Sequence, residues 1–242
     1  LLATGHYARS GVIDGRGALF KGKDPNKDQS YFLHQVSAEA LAETLFPLGE
    51  FVKGQVREIA RERGLTVHGK KDSTGICFIG ERPFREFLSS YLPANPGPMR
   101  TPGGEVVGEH QGLMYYTLGQ RQGLHIGGIH DRPELPWYVV AKDLDENALI
   151  VAQGEHELLF SDELVATDEC WIGNEPAGLE TGLECHAKVR YRQADQACTV
   201  VRRDDGLAVR FAEKQKAVTP GQFCVFYDGE RCLGGATIDQ IG

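Results

Sequence analysis

Lys70-Lys71-Asp72-Ser73-Thr74-Gly75-Ile76-Cys77-Phe78-Ile79-Gly80-Glu81-Arg82 divides a helix-patterned first third from a strand-patterned remainder. It carries Cys77, the one cysteine of six that lies outside a strand-like run. Lys70, Lys71 and Arg82 flank the thiol, and nearby cations favour the reactive thiolate. Gly75 and Gly80 let the backbone approach a bulky substrate. The same stretch also suits a buried small hydrophobe, because Cys77 sits between Ile76 and Phe78-Ile79. Local sequence leaves both readings open.

Upstream, Leu1-Leu2-Ala3-Thr4 reads as the end of a buried strand that runs into Gly5-His6. A start inside a core strand carries the expectation that these residues are the C-terminal portion of a longer chain. Asp14-Gly15 predicts a hairpin, since tight hairpin turns need positive φ. A polar loop from Lys23 to Ser30 leads into Tyr31-Phe32-Leu33. Ser37 is a good N-cap, Ala38, Leu41, Ala42 and Leu45 follow at helical spacing, and Pro47 ends the run. A second helix is predicted over Lys53–Arg63, with Val56, Ile59 and Ala60 inward and Gly64 closing it. Leu65-Thr66-Val67 reads as a short strand.

Downstream, Pro83 suits a first helical position, and Phe84, Phe87, Leu88 and Tyr91 form an apolar stripe. From Met99 onward helix signals fade. Short runs such as Trp137-Tyr138-Val139-Val140, Leu149-Ile150-Val151, Cys198-Thr199-Val200-Val201 and Phe223-Cys224-Val225-Phe226-Tyr227 alternate with polar turns, which predicts all-β modules, barrels by their spacing. Breaks fall near Gly80–Pro83 and Gly154–Leu159.

The chain has 242 residues, 25% charged and 41% hydrophobic, within the range of globular proteins. No apolar run approaches the ~18 residues of a membrane span. No secretory signal is present, so a reducing cytoplasm is the expected compartment and a disulfide framework is not. No C-x-x-C pair occurs, so no zinc ribbon is expected and no protein-bound metal is predicted. Cys170, Cys185, Cys198, Cys224 and Cys232 read as strand or core packing. Net charge is −8, with +2 over residues 1–80 and −5 over each of residues 81–160 and 161–242. An acidic chain is a poor general ligand for nucleic acid, so any RNA contact must come from local basic clusters. The absence of G-x-G-x-x-G opening a helix argues against a Rossmann-type methyltransferase.

Several such clusters exist. His6 follows Gly5 at a strand end, a place where α/β sheets admit nucleotides. Asn26-Lys27-Asp28-Gln29-Ser30-Tyr31 combines a cation, amides and an aromatic ring, a mixture suited to a phosphate backbone and a base edge; an ordinary polar loop has the same composition. Alternation over His186–Gln193 places Lys188, Arg190 and Arg192 on one strand face, either a phosphate track or a solvated face. Thr219-Pro220-Gly221-Gln222 is a turn with an amide beside its tip. Leu118–Gly128 is glycine-rich, which suits a cleft lining or tight barrel corners.

Taken together, the motifs resemble the tRNA-specific 2-thiouridylases, bacterial enzymes that place sulfur on C2 of the wobble uridine. The resemblance covers essentially the whole chain. It is carried by Ala3-Thr4-Gly5-His6-Tyr7-Ala8-Arg9, by residues 26–33, by the stretch through Cys77, by Gly108-Glu109-His110-Gln111-Gly112 and by Val189-Arg190-Tyr191-Arg192-Gln193. It implies an α/β remnant of a PP-loop ATP-pyrophosphatase (adenine nucleotide alpha hydrolase-like) domain over residues 1–80. A small, mostly β central domain over 81–158 and a C-terminal antiparallel β-barrel over 159–242 complete the expected organisation. It further implies that ATP, accompanied by Mg2+, adenylates the uridine, and that Cys77 receives sulfur as a persulfide from a relay donor protein. A second cysteine, in the N-terminal domain, is implied as partner nucleophile and disulfide mate. Gly5 matches an ATP contact; His6, Lys27, Asp28, Gln29, Arg190, Tyr191 and Gln222 match contacts to tRNA, at the anticodon region of Lys, Glu and Gln acceptors. The family's Ser-Gly-Gly-x-Asp-Ser-Ser PP-loop and that partner cysteine are not within these 242 residues. A non-catalytic RNA-binding β-barrel module with a structural Cys77 is the alternative.

Overall fold

The computed structural model describes residues 1–69, 91–127 and 135–242. The whole stretch through Cys77, residues 70–82, and the helix expected from Pro83 as far as residue 90 lie outside the described residues. In chain order the elements are β1 (Leu2–Ala3), β2 (Ala8–Ile13), β3 (Arg16–Lys21), α1 (Ser30–Leu33), α2 (Ala38–Ala42), β4 (Thr44–Leu45) and α3 (Lys53–Glu62). Then follow β5 (Gly97–Arg100), β6 (Val106–His110), β7 (Trp137–Asp143), β8 (Ala148–Gln153) and β9 (Phe160–Trp171). The last are β10 (Leu183–Lys188), β11 (Gln196–Arg203), β12 (Gly206–Lys216), β13 (Phe223–Asp228) and β14 (Arg231–Ile241). They form two compact units. The first comprises residues 1–69, 162–214 and 219–242; the second comprises residues 91–127, 135–161 and 215–218.

The first unit contains a closed six-stranded barrel. β13 pairs β10, the order continues through β11, β12, β9 and β14, and β14 pairs β13 again. Closure leaves the barrel no edge strand to pair with other chains. On its edge away from β13, β14 serves two neighbours in succession: Arg231 and Cys232 pair with β3, while Gly234–Ile241 pair with β9. Gly234 sits at the change-over with φ +146, and a Cβ there would overlap the Cys170 carbonyl, so only glycine fits.

The β2–β3 hairpin thereby becomes an extension of the barrel sheet. Its turn is Asp14-Gly15, with φ +51 and +77, the paired positive values of a type I′ turn. The core is shared as well: Ala8, Leu19, Tyr31 and Leu41 pack with Ile172, Val225, Tyr227 and Cys232. Ser37 caps α2, accepting from Ala40 N at 3.3 Å. β1 and β4 form a separate two-stranded parallel pair.

A cluster of charges ties the loop after β3 to the barrel. Asp28 is 6% exposed. Its carboxylate accepts from Gly22 N (3.0 Å), Ser30 N (3.1 Å) and Ser30 Oγ (2.9 Å). It also faces Lys188 Nζ of β10 at 3.6 Å. Lys188 reaches Asp195 at 3.5 Å, and Lys21 pairs with the same Asp195. Both lysines lie over the ring of fully buried Tyr227, at 4.5 Å for Lys21 and 5.0 Å for Lys188. Burial is the main cause that pushes the Tyr227 phenol up, with Cys232, Asp28 and Asp195 adding to it.

The second unit is a four-stranded sheet in the order β6-β5-β8-β7, parallel only between β5 and β8. Met99, Trp137, Val139, Leu149 and Val151 form its core. His110 is fully buried; its Nε2 donates to Asn147 O (2.9 Å) and its Nδ1 accepts from Gly112 N (3.0 Å). Both ring nitrogens are thus spent on a corner of the sheet. Among the described residues no helix is long and apolar enough to cross a membrane.

Three local expectations change. Residues 66–69 form a 3-10 turn, not a strand; β propensity is realised only where a neighbouring strand is available to pair. α3 starts at the predicted Lys53 and ends one residue early, at Glu62, but Val56, Ile59 and Ala60 are not buried, nor is any other residue of α3. Amphipathic spacing marks a face that can be buried, and burial itself requires a partner. β10 ends at Lys188, so Lys188, Arg190 and Arg192 do not share a strand face. Gln193 closes a turn there: its Oε1 accepts from Val189 N (2.8 Å), and its N donates to Arg190 O (3.2 Å).

Replacing Asp28 with Asn should lower the unfolding free energy by about 3 kcal/mol, the lower end for breaking a buried ion pair. The readout is a lower urea midpoint at unchanged slope, and an unchanged midpoint would mean that Asp195 compensates Lys188 by itself. His34 supplies a pH prediction. It is 2% exposed, its Nδ1–H donates to Tyr31 O (2.8 Å), and Nε2 has no hydrogen-bond partner among the described residues. Burial pulls its pKa below the ordinary value, only partly offset by the Tyr31 carbonyl. The native state therefore holds His34 neutral. Its stabilisation is complete above the unfolded pKa of about 6.5 and declines as pH falls below it. Urea midpoints at pH 7.5 and 5.5 should differ more for wild type than for His34→Asn.

Candidate nucleic-acid interface

The residues that place the interface begin at the loop from Lys23 to Gln29. Asp24, buried, accepts from Asn26 N (3.0 Å) and from Lys53 N at the start of α3 (2.9 Å). Its carbonyl accepts from Lys27 N and Asp28 N. Asx turns of this kind hold a polar loop in one shape without sheet pairing. Gln29 then turns back. Its Oε1 accepts from Tyr7 N (2.9 Å), and its own N donates to Tyr7 O (2.9 Å). Gln29 therefore holds the backbone beside His6, whose Nδ1 meets Thr4 Oγ1 at 2.8 Å. Gly5 is exposed, and a Cβ there would meet only Leu48 Cδ1 at 3.8 Å. Nothing in the described fold demands glycine at that position.

On the barrel side, Arg190 Nη2 donates to Thr219 Oγ1 at 3.3 Å. Thr219 opens the turn Thr219-Pro220-Gly221-Gln222, closed by Gln222 N donating to Thr219 O (3.1 Å), with Gly221 at φ +82. Proline second and a positive-φ glycine third are the signature of a type II turn. Gln222 is thus fixed beside Arg190, and its side chain makes no hydrogen bond to a described residue. Tyr31 Oη donates to Phe223 O (2.9 Å), which joins α1 to the start of β13. Tyr191 packs on Phe32 of α1 with ring centroids 4.4 Å apart. Burial pushes the Tyr31 phenol up to about 12, with Cys224 adding to it and the Phe223 carbonyl and Arg190 opposing. Burial also pulls the Arg190 guanidinium below its ordinary value, and the Tyr31 phenol opposes that shift.

His6, Asp28, Gln29, Arg190, Tyr191 and Gln222 are therefore linked within one unit by direct contacts or by one intermediate residue. Lys27 is half-buried on the same loop, and Gly5 adjoins His6. Two of the expected contact residues spend their side-chain acceptors inside the protein: Asp28 on the loop and Lys188, Gln29 on Tyr7. Cys77 lies outside the described residues. A cleft of about 720 Å³ opens beside the loop. Most of its cations are already matched, Arg9 by Glu230, Lys21 by Asp195 and Lys188 by Asp28. Lys23 and Arg192, also on its wall, have no described carboxylate within ion-pair distance.

Four of the remaining cysteines are poor candidates for thiol chemistry. Cys185, Cys198, Cys224 and Cys232 are buried free thiols on strands. Burial pushes Cys232 up to about 12 and Cys224 higher. Cys198 is raised foremost by its contact with Cys185, Sγ to Sγ 3.7 Å. Raised thiol pKa values suppress the thiolate that reacts. Among the described residues no three His, Cys, Asp or Glu side chains group to hold a metal ion. Phe32 belongs to the surface but was not singled out from sequence, whereas Arg192 was named there as part of the basic alternation. An aromatic next to Tyr31 in an amide-rich loop was the available signal.

Comparison with known sequences gives the same three-part order. Residues 1–81 match the tRNA methyl transferase HUP domain, residues 85–153 the tRNA methyl transferase PRC-barrel domain, and residues 161–238 the aminomethyltransferase beta-barrel domain. The last of these is the closed barrel, and the first contains the β2–β3 hairpin, α1, α2 and α3. A protein of Pseudomonas fluorescens (strain SBW25) named tRNA-specific 2-thiouridylase MnmA is 59% identical over 240 residues, 99% of this chain and 64% of that protein. Namesakes from Chromohalobacter salexigens and Hahella chejuensis are 59% and 57% identical, over 98% and 100% of this chain and 62% and 66% of their own lengths. The chain thus spans about two-thirds or less of the curated relatives it matches, aligned along nearly its entire length. Three successive domain matches and uniform identity at this level place it: the chain belongs to the family of the tRNA-specific 2-thiouridylases.

Proposed function

We propose that this chain serves the 2-thiolation of a tRNA wobble uridine, with Cys77 as the carrier of sulfur. The observation that carries the proposal is identity of 57–59% along nearly the whole chain to proteins that share one name and one activity. The suppressed thiols of Cys198, Cys224 and Cys232 support Cys77 by contrast. The matched domains carry a methyl transferase description, but the sequence lacks a glycine-rich cofactor loop and the relatives are named thiouridylases.

In this proposal His6, Lys27, Asp28, Gln29, Arg190, Tyr191 and Gln222 hold tRNA at the anticodon region of Lys, Glu and Gln acceptors. Asp28 and Gln29 contribute chiefly by fixing the loop and the backbone at His6, given their internal hydrogen bonds. Gly5 gives a nucleotide close access, which its open surroundings permit. ATP, with Mg2+, supplies the leaving group, because a carbonyl oxygen does not depart unaided. The Cys77 persulfide, loaded by a relay donor protein, provides sulfur in one of two orders. Its terminal sulfur attacks C2 of the adenylated uracil, AMP leaves with the C2–O electron pair, and a partner thiolate then attacks the Cys77 sulfur. Alternatively the partner thiolate first displaces hydrosulfide, which attacks C2. Either order leaves a disulfide between the two cysteines and reduces the transferred sulfur. Because neither the PP-loop nor the partner cysteine is among the 242 residues, we propose that these residues alone do not complete a turnover.

Incubation with a persulfide donor should add about 32 Da, one sulfur atom, to the Cys77 peptide and leave the Cys198 and Cys224 peptides unchanged. Labelling of all three alike, or of none, would favour a non-catalytic RNA-binding module. In the full-length protein, Cys77→Ser should abolish thiolation of a tRNA transcript; turnover at the wild-type rate would end the assignment.

A further inference from the structure

We propose that Phe32 and Arg192 form a single-nucleotide subsite on the first unit, Phe32 stacking an unpaired RNA base and Arg192 taking an adjoining phosphate. The inference deepens the RNA reading above and rests on it.

Phe32 is 57% exposed, although its neighbours Tyr31 and His34 on the same turn of chain are buried. Its ring is not loose. It packs on Tyr191 at 4.4 Å between centroids and edge-on to Tyr31 at 5.5 Å. More than half of a large aromatic is thus presented to solvent in a fixed orientation. The guanidinium of Arg192 lies 5.3 Å from the centroid of the same Tyr191 ring. Arg192 holds φ +66, a left-handed backbone that is unusual for a non-glycine residue. Gln193, bonded to Val189 N and Arg190 O, keeps the turn in that shape.

Arg192 also lines the 720 Å³ cleft together with Lys23. Internal carboxylates match the other cleft lysines, so phosphate attraction here comes from few charges. On a chain of net charge −8 with few unmatched cations in the cleft, a contribution that is not electrostatic adds to what local basic residues provide. Base–aromatic stacking provides one, and every base has a face to offer. An aromatic ring flanked by a cation stacked on a second ring fits a splayed, single-stranded base better than a paired one.

The test measures binding of an unmodified tRNA transcript to the 242-residue chain across a salt series. Phe32→Leu should weaken binding by about 5- to 150-fold, the range of base–aromatic stacking, with the salt dependence unchanged. Phe32→Trp should restore it. Arg192→Gln should instead flatten the logarithmic salt slope by about 0.7, one phosphate on a single strand. Wild-type affinity in Phe32→Leu would overturn the subsite and leave the RNA reading intact. A loss in Phe32→Leu that Phe32→Trp fails to restore would make the ring a packing partner of Tyr191 and likewise overturn it. No binding by the wild-type chain would overturn the RNA reading and the subsite together.

Discussion

The contact between Asp28 and Lys188 holds the described interface together. A carboxylate and an ammonium, both largely removed from water, would each carry several kcal/mol of desolvation cost if left alone. Here the cost is offset by dense pairing. Asp28 has three hydrogen bonds besides the lysine, and Lys188 has a second carboxylate and an aromatic face. The pair joins the loop after β3 to the last residue of β10. Asp24 shapes the rest of that loop and Gln193 the turn after β10, and the junction fixes the two to one another.

The hairpin explains why the junction can be so well defined. β3 adds to the barrel sheet through Arg231 and Cys232, and Leu19 and Cys232 are fully buried in the shared core. Segments far apart in the chain are thereby fixed by backbone pairing before any side chain is considered. Side-chain contacts then finish the surface: Tyr31 to Phe223, Tyr191 to Phe32, Arg190 to Thr219. Such a surface suits RNA, whose recognition combines phosphate contacts with stacking on exposed rings.

Much of the local structure was legible in the chain. Asp14-Gly15 forms the hairpin turn because both positions take positive φ at low cost. Ser37 caps α2, Gly64 follows α3 at φ +68, and Thr219-Pro220-Gly221-Gln222 turns as its proline and glycine dictate. The alternating apolar runs after Met99 became strands. Other readings failed where they needed a partner. Val56 and Ile59 kept their helical spacing but are not buried, and Leu65-Thr66-Val67 has no strand to join among the described residues. The basic alternation over 188–192 broke because Gln193 reaches back to Val189 N, a bond that no periodicity reveals.

The sequence by itself determined the family, the β-rich organisation, the turn types and the isolation of Cys77 from the strand cysteines. These follow from local backbone preferences, from side-chain periodicity and from motif identity, all properties of short stretches. Only the tertiary structure decided that Asp28 is buried against Lys188, that Gln29 clamps Tyr7, and that Phe32 shares the Tyr191 ring with Arg192. The physical reason is sequence separation. Asp28 and Lys188 stand 160 positions apart in the chain, and barrel closure between β13 and β14, with β3 added to β14, is what brings such residues within a few ångströms. The charge pairing, burial and ring contacts that define the interface exist only after that closure.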